Sequence, residues 1–282
     1  NGRPRVVQER EGTALVDGGL SLGPVGAVFG AEVAIRKARS AGCCAVGVVN
    51  SNHICLAGYY AERIARAGYV GIITTVTQPL AHVLGGFERL LGTNPLAIAV
   101  PTGKGDPILI DFATTAISNG TVMKSRAQGV PIPEGTALGP DGAPTTDAAQ
   151  ASQGALTPFA GHKGFGLSLV LGLLAGPLLG AKVGKELARS IAEKNNYDKG
   201  DLLIAIDPAS FGDPAAFYEA VGAHLLEVKS SPLAPGFSEI RIPGERSFQE
   251  KARRLREGVP IERKVWEDVS ALADTLGVSM PA

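Results

Sequence analysis

The 282-residue sequence predicts an α/β fold with helices flanking a sheet. Three observations predict it. Residues 24–40 set Val25, Val28, Phe29, Val33 and Ile35 among Glu32, Arg36, Lys37 and Arg39, an amphipathic helix closed by Gly42. Residues 43–49 form a continuous, valine-rich apolar run bounded by Asn50-Ser51-Asn52, as expected of a strand covered on both faces. Helical periodicity over residues 58–67 and a β-branched run over 69–76, after Gly68, then complete a β-α-β unit, whose crossover makes a parallel pair. The carboxyl ends of these two strands, Ser51-Asn52-His53 and Thr77, should share one edge of the sheet. Open α/β sheets bind ligands at that edge.

Further strands are expected at residues 96–100 and 107–110, separated by the turn Thr102-Gly103-Lys104-Gly105, with Asp111 ending the second. Residues 130–154, carrying Pro131, Pro133, Pro140 and Pro144, read as an ordered loop too varied for low complexity. The loop Gly161-His162-Lys163-Gly164-Phe165-Gly166 opens a helix in which, over residues 164–181, Ser168 is the sole polar side chain. A strand at 202–206 and helices at 213–227, 248–257 and 264–276 follow. No internal repeat and no break in composition divides the chain.

Composition bounds the function. With 45% hydrophobic and 19% charged residues the chain is globular, and 27 basic residues balanced by 27 acidic ones give no attraction to a polyanion, so nucleic acid is an improbable partner. The 37 glycines and 19 prolines show no repeat period and imply many tight turns. Cys43, Cys44 and Cys55 cannot form a disulfide framework, which fits a reducing, cytoplasmic setting. The opening Asn1-Gly2-Arg3-Pro4 shows neither a signal-peptide pattern nor an initiating Met, which suggests a fragment. Residues 164–181 fall short of the roughly 20 apolar residues of a spanning helix, and Gly172, Gly176 and Pro177 fit a helix buried in protein, so no membrane partner is expected.

Four places carry candidate chemistry. His53 has the residue type of a general acid-base catalyst near neutral pH, and equally that of a loop histidine capping the following helix. Lys163, at a helix N-terminus among Gly161, Gly164 and Gly166, suits a phosphate contact; a surface lysine at the wet end of a core helix would have the same neighbours. Asp111-Phe112-Ala113-Thr114-Thr115 follows a strand and should cap a helix that it opens, although the same groups suit a ribose or an amide. Pro243-Gly244-Glu245 precedes another helix, where a carboxylate is favoured by the dipole. No metal site is expected, because no histidines lie at i, i+4 and the cysteines lack a second cluster. No Gly-x-Gly-x-x-Gly fingerprint supports a Rossmann fold.

Six segments in order then resemble the type 2 malate/L-lactate dehydrogenase family, which includes sulfolactate and ureidoglycolate dehydrogenases. They are Ser51-Asn52-His53 with Ala57-Gly58-Tyr59-Tyr60-Ala61-Glu62, Leu91-Gly92-Thr93-Asn94-Pro95-Leu96, Asp111-Phe112-Ala113-Thr114-Thr115, Ile132-Pro133-Glu134-Gly135, Gly161-His162-Lys163-Gly164-Phe165-Gly166 and Pro243-Gly244-Glu245-Arg246. The resemblance implies a non-Rossmann, sulfolactate dehydrogenase-like mixed sheet with flanking helices, usually in a homodimer. It implies a discontinuous substrate and dimerisation part at residues 1–74 and 233–282, and a nicotinamide-binding part at 75–232. The implied reaction is NAD- or NADP-dependent interconversion of small 2-hydroxy and 2-oxo acids such as malate, lactate or sulfolactate. His53 matches the catalytic histidine, and Thr77, Asp111, Phe112, Ala113, Lys163, Gly244 and Glu245 match cofactor contacts. Two departures stand out: the family's N-terminal helical segment, with its Ser-His-Gly motif and carboxylate-binding arginine, is not in this sequence, and Ile54-Cys55-Leu56 replaces a common Phe-Gly after the histidine. The rival readings are a cyclic imino acid reductase and a catalytically silent nucleotide-binding protein.

Overall fold

The computed structural model describes residues 2–194 and 197–280, and it separates into two compact units, Asn1–Pro243 and Gly244–Ala282. In the first unit a hairpin of β1 (Arg5–Arg10) and β2 (Thr13–Asp17) leads into α1 (Gly23–Ala41), β3 (Cys43–Ser51), α2 (Ala57–Arg66) and β4 (Val70–Thr75). Short strands β5 (Ala81–His82) and β6 (Arg89–Leu91) precede β7 (Leu96–Val100) and β8 (Ile108–Phe112). Then come α3 (Asn119–Gln128), β9 (Ala137–Leu138), α4 (Ala148–Gln153), β10 (Ala155–Leu156), α5 (His162–Ala175), α6 (Gly184–Lys194), β11 (Lys199–Ile206) and α7 (Pro214–Lys229).

Seven strands form the main sheet in the order β1-β2-β3-β11-β4-β7-β8, in which only β2 and β3 run parallel as neighbours. The expected β-α-β unit is present, but its strands do not pair with each other. β11 lies between β3 and β4, antiparallel to both, so the two share a direction without a hydrogen bond. The reason is in β11 itself. Leu203 and Ala205 pack with α1 and α2 residues on one face, and Leu202 and Ile204 pack with Ala175 and Leu187 on the other, a pattern that only an interior position satisfies. β1, with Arg5, Glu9 and Arg10 along it, blunts one edge with charge.

The loop expected at residues 130–154 contains β9 and α4, and β9 joins β6, β5 and β10 in a small second sheet. The apolar helix also differs from expectation. α5 buries Gly164, Ser168, Leu171, Gly172 and Ala175, but Leu169, Val170, Leu173 and Leu174 on its other side are exposed. Residues 162–179 are long and apolar enough, by length and composition, to cross a membrane. The α-helical part ends at Ala175, however, and its 14 residues reach about 21 Å against the roughly 30 Å of a hydrocarbon core.

The second unit contains α8 (Glu245–Glu257) and α9 (Arg263–Leu276). Intrahelical pairs of the i, i+4 kind, Arg254 to Glu250 in α8 and Arg263 to Glu267 in α9, line their surfaces.

Candidate active site

His53 stands where β3 has ended and α2 has not begun. A second loop, over residues 17–22, holds this segment: Leu20 N–H donates to Asn50 O at 2.9 Å, Asn50 Nδ2 to Asp17 Oδ1 at 2.8 Å, and Asn52 Nδ2 to Ser21 O at 3.0 Å. Asn50 (φ 52°) and Cys55 (φ 63°) adopt the left-handed region, which costs free energy and persists only where surroundings enforce it. The first residue of α1 presses on the same backbone. A Cβ on Gly23 would lie 2.1 Å from His53 O.

The imidazole is exposed, and its Nδ1 accepts from Cys55 N–H at 3.1 Å. A nitrogen that accepts carries no hydrogen, so the neutral ring holds its hydrogen on Nε2, which has no partner among the described residues. The pKa of His53 lies below the ordinary 6.5. Partial removal from water is the main cause and the positive charge of Lys199 the second, with Asp201 opposing both. His53 does not cap α2. That helix starts without a cap from its own N-cap residue, and the Gly58 N–H is taken at 2.7 Å by Asp111 Oδ2 from the end of β8.

His53 opens on a cleft of about 260 Å³ that is lined also by Ile54, Cys55, Thr75, Thr77, Thr93 and Lys199. The carboxyl ends of β3 and β4 and the amino end of antiparallel β11 meet there, so the expected sheet edge is the one that carries the cleft. Lys199 is 2% exposed and Asp201 0%, and their side chains pair directly. Lys199 Nζ also donates to Thr75 Oγ1 at 3.1 Å.

Threonines and one asparagine link this cleft to α5. Thr93 N–H donates to Thr77 Oγ1 at 2.7 Å, Thr114 N–H to Thr93 O at 2.8 Å, and Phe159 N–H to Thr114 O at 3.0 Å. Asn94, 3% exposed and at φ 21°, accepts from Thr77 N–H at 3.2 Å and donates through Nδ2 to Ser168 O at 2.9 Å. Thr77, Asp111, Phe112 and Ala113 are thereby connected to the turn bearing Lys163, and Phe112 meets Phe159 edge-on at 5.9 Å. Asp111 does cap a helix, as its residue type suggested, but that helix is α2; the helix after β8 starts at Asn119 and is capped by Ser118. Its surroundings raise the Asp111 pKa although one edge reaches solvent, and the Gly58 N–H counters that rise.

The glycines near Lys163 divide into two kinds. Gly164 is required by packing, since a Cβ there would lie 2.2 Å from Phe159 O, whereas Gly161 and Gly166 face open space and Gly161 has φ 60°. Lys163 is exposed, with no ion-pair partner among the described residues. Open backbone at a helix N-terminus beside an unpaired lysine has the donors and the charge to hold a phosphate, and the Phe112 ring is exposed. Gly244 and Glu245 lie in the second unit, where Gly244 (φ 100°) precedes α8 and Glu245 occupies its first turn. No cluster of three or more metal-ligating side chains occurs among the described residues.

Thr93, Asn94, Lys199 and Asp201 were not singled out as site residues from the sequence. Asn94 carried a signal within Gly92-Thr93-Asn94-Pro95, a polar interruption between apolar runs. Lys199 and Asp201 carried one too, as two charges opening a strand whose remainder is apolar.

A family model described as malate/L-lactate dehydrogenase matches residues 1–270. The malate/(S)-sulfolactate dehydrogenase of Methanothermus fervidus is 35% identical over 280 residues, covering 99% of this chain and 81% of that protein. The solved structure of sulfolactate dehydrogenase from Methanocaldococcus jannaschii superposes with a TM-score of 0.88 at 38% identity, over 98% of this chain and 79% of that one. The Δ1-pyrroline-2-carboxylate reductase of Ancylobacter novellus is 34% identical over 271 residues, 95% of this chain and 78% of that protein.

Proposed function

The chain belongs to the malate/L-lactate dehydrogenase family, and we propose that it transfers hydride between a nicotinamide cofactor and a small 2-hydroxy or 2-oxo acid, with His53 as its acid-base group. The observation that carries this reading is the unpartnered Nε2–H of a neutral imidazole in a cleft shared with Thr77. Thr77, Asp111, Phe112, Ala113 and Lys163 hold the cofactor in this proposal, with Lys163 and the open backbone at Gly161 taking its phosphates. When bound, the nicotinamide supplies or takes up the hydride at C2 of the acid.

In reduction the charged imidazolium of His53 donates its Nε2–H to the 2-oxo oxygen and polarises the carbonyl, and that proton passes as the alkoxide forms, leaving a neutral ring whose hydrogen is on Nδ1. In oxidation the ring, neutral with its hydrogen on Nδ1, takes the hydroxyl proton at Nε2. An Nδ1–H cannot face the Cys55 N–H, so the ring turns away from Cys55 whenever Nδ1 carries a hydrogen, in the charged ring and in the neutral base alike.

The test is NADH and NADPH oxidation with a panel of 2-oxo acids and one cyclic imine, by the wild type and by His53→Ala, with cofactor binding measured for both. Turnover of a 2-oxo acid by the wild type alone, with both proteins binding cofactor, supports the proposal. Preference for the imine would move the assignment to the cyclic imino acid reductases, the class of the Ancylobacter novellus relative. Binding without turnover would leave a nucleotide-binding protein. The proposal extends to a cytoplasmic homodimer, and a monomer in sedimentation equilibrium at micromolar concentration would refute the dimer.

A further inference from the structure

We propose that Lys199, held by Asp201 and Thr75, is a cation that contacts the carboxylate of the substrate beside His53, an inference that rests on the 2-oxo acid reading above. Lys199 is 2% exposed yet lines the cleft that His53 lines. An ammonium group has three donors. One goes to Asp201 Oδ1 and one to Thr75 Oγ1, and the third has no partner among the described residues.

A purely structural ion pair explains these features poorly. Taking two charges out of water costs several kcal/mol per ion, and a buried pair recovers that only when the remaining polar atoms are satisfied. Here they are not. Asp201 Oδ2 and Ser51 Oγ, the latter on the residue opposite Lys199 in β3, are both buried without hydrogen-bond partners. Apolar side chains would serve the sheet as well at the end of β11, because Leu202 to Ile206 already fill its two faces. A pair that anchors a cation at the wall of a cleft and leaves one N–H without a protein partner among the described residues suits anion recognition.

The placement also links binding to catalysis. The titratable groups around His53 are Lys199 and Asp201 from β11, Tyr197 just before it, and Cys55 and Tyr60 from its own loop and helix. Of these, Lys199 disfavours the imidazolium and Asp201 favours it. A carboxylate seated on Lys199 offsets the lysine charge, so the arrival of a 2-oxo acid promotes protonation of His53, the state required to give a proton. Without substrate the ring stays neutral.

The experiment uses oxamate, an unreactive 2-oxo acid analogue, with the protein saturated in reduced cofactor. Lys199→Met alone strands Asp201, so the informative variant is Lys199→Met with Asp201→Asn, which removes both charges; its circular dichroism and cofactor binding report that it has folded. Oxamate affinity is measured by calorimetry and the His53 pKa by NMR of the labelled imidazole. The expected result is at least tenfold weaker oxamate binding in the double variant, and a rise of the His53 pKa on adding oxamate to the wild type that the variant lacks. Equal affinity in the two proteins overturns the inference, as does a wild type that binds no oxamate. If the wild type binds oxamate through Lys199 but reduces no 2-oxo acid, this inference stands and the dehydrogenase reading fails.

Discussion

His53 is neutral at pH 7 for reasons that can be separated. Partial desolvation and the Lys199 charge lower its pKa below 6.5, and the Cys55 N–H is directed at the nitrogen that would have to gain a hydrogen. Oxidation of a hydroxy acid needs the neutral base. Its rate should therefore fall as pH drops through a value below 6.5 and stay level above it; a kcat/KM profile with its inflection above 7 contradicts this assignment. Stability has the same sign. The unfolded chain binds the proton more readily, so His53 contributes stability that is complete above pH 6.5 and is lost as pH falls through the lower folded value. His53→Ala should lower kcat about 10²- to 10⁴-fold with cofactor binding intact. Gly23 makes a separate test at the same residue's backbone. A methyl group there meets His53 O at 2.1 Å, so Gly23→Ala must displace the loop, and it should cost about 1–3 kcal/mol in urea denaturation as well as turnover. Unchanged activity in Gly23→Ala would mean that the placement of His53 is not set by α1.

At the scale of elements, α5 is tied to the cleft through Asn94. Its amide accepts from Thr77 N–H, in a part-buried bond, and donates to Ser168 O, in a buried one. Asn94→Ala removes the side-chain partner of a part-buried N–H and of a buried carbonyl, at a cost of about 1–3 kcal/mol. Because Thr77 then loses its support, cofactor affinity should weaken too, whereas a loss of stability alone would make Asn94 a packing residue. Such cross-links were invisible to periodicity. The pattern of apolar residues located α1, β3, α2, β4 and β7 to within a residue or two, since each signal lies inside its own segment. It missed α6, whose Lys185, Glu186, Arg189 and Glu193 masked one apolar side made by Leu187 and Ile191, and it missed the pairs in the small second sheet, which are too short to show alternation. His53, Thr77 and Asp111 could be placed at strand ends from local pattern. What Asp111 touches could not, because Gly58 is 53 residues away.

Across the whole first unit, β11 is the strand on which sheet and cleft both depend. It arrives last of the sheet strands, after more than half the chain, and takes the central gap between β3 and β4. With β3 and β4 fixed in direction by α2 but unpaired, the seven-stranded sheet is two separate pieces until residues 199–206 close it. Local pattern showed the strand but could not show this gap, since strand order is decided by which partner covers both apolar faces. Leu203, fully buried with α1 on one side and β3 and β4 beside it, should therefore act globally: Leu203→Ala is expected to cost about 2–5 kcal/mol and to lower the urea midpoint for the whole unit. Hydrogen exchange tests the same dependence without mutation. Amides of β11 should exchange only through global unfolding, while those of the edge strand β1 open locally at lower free energy. If β11 amides exchanged as easily as those of β1, its central pairing would not be what holds the sheet together, and the Lys199 and His53 sides of the cleft would be joined by something weaker than the sheet.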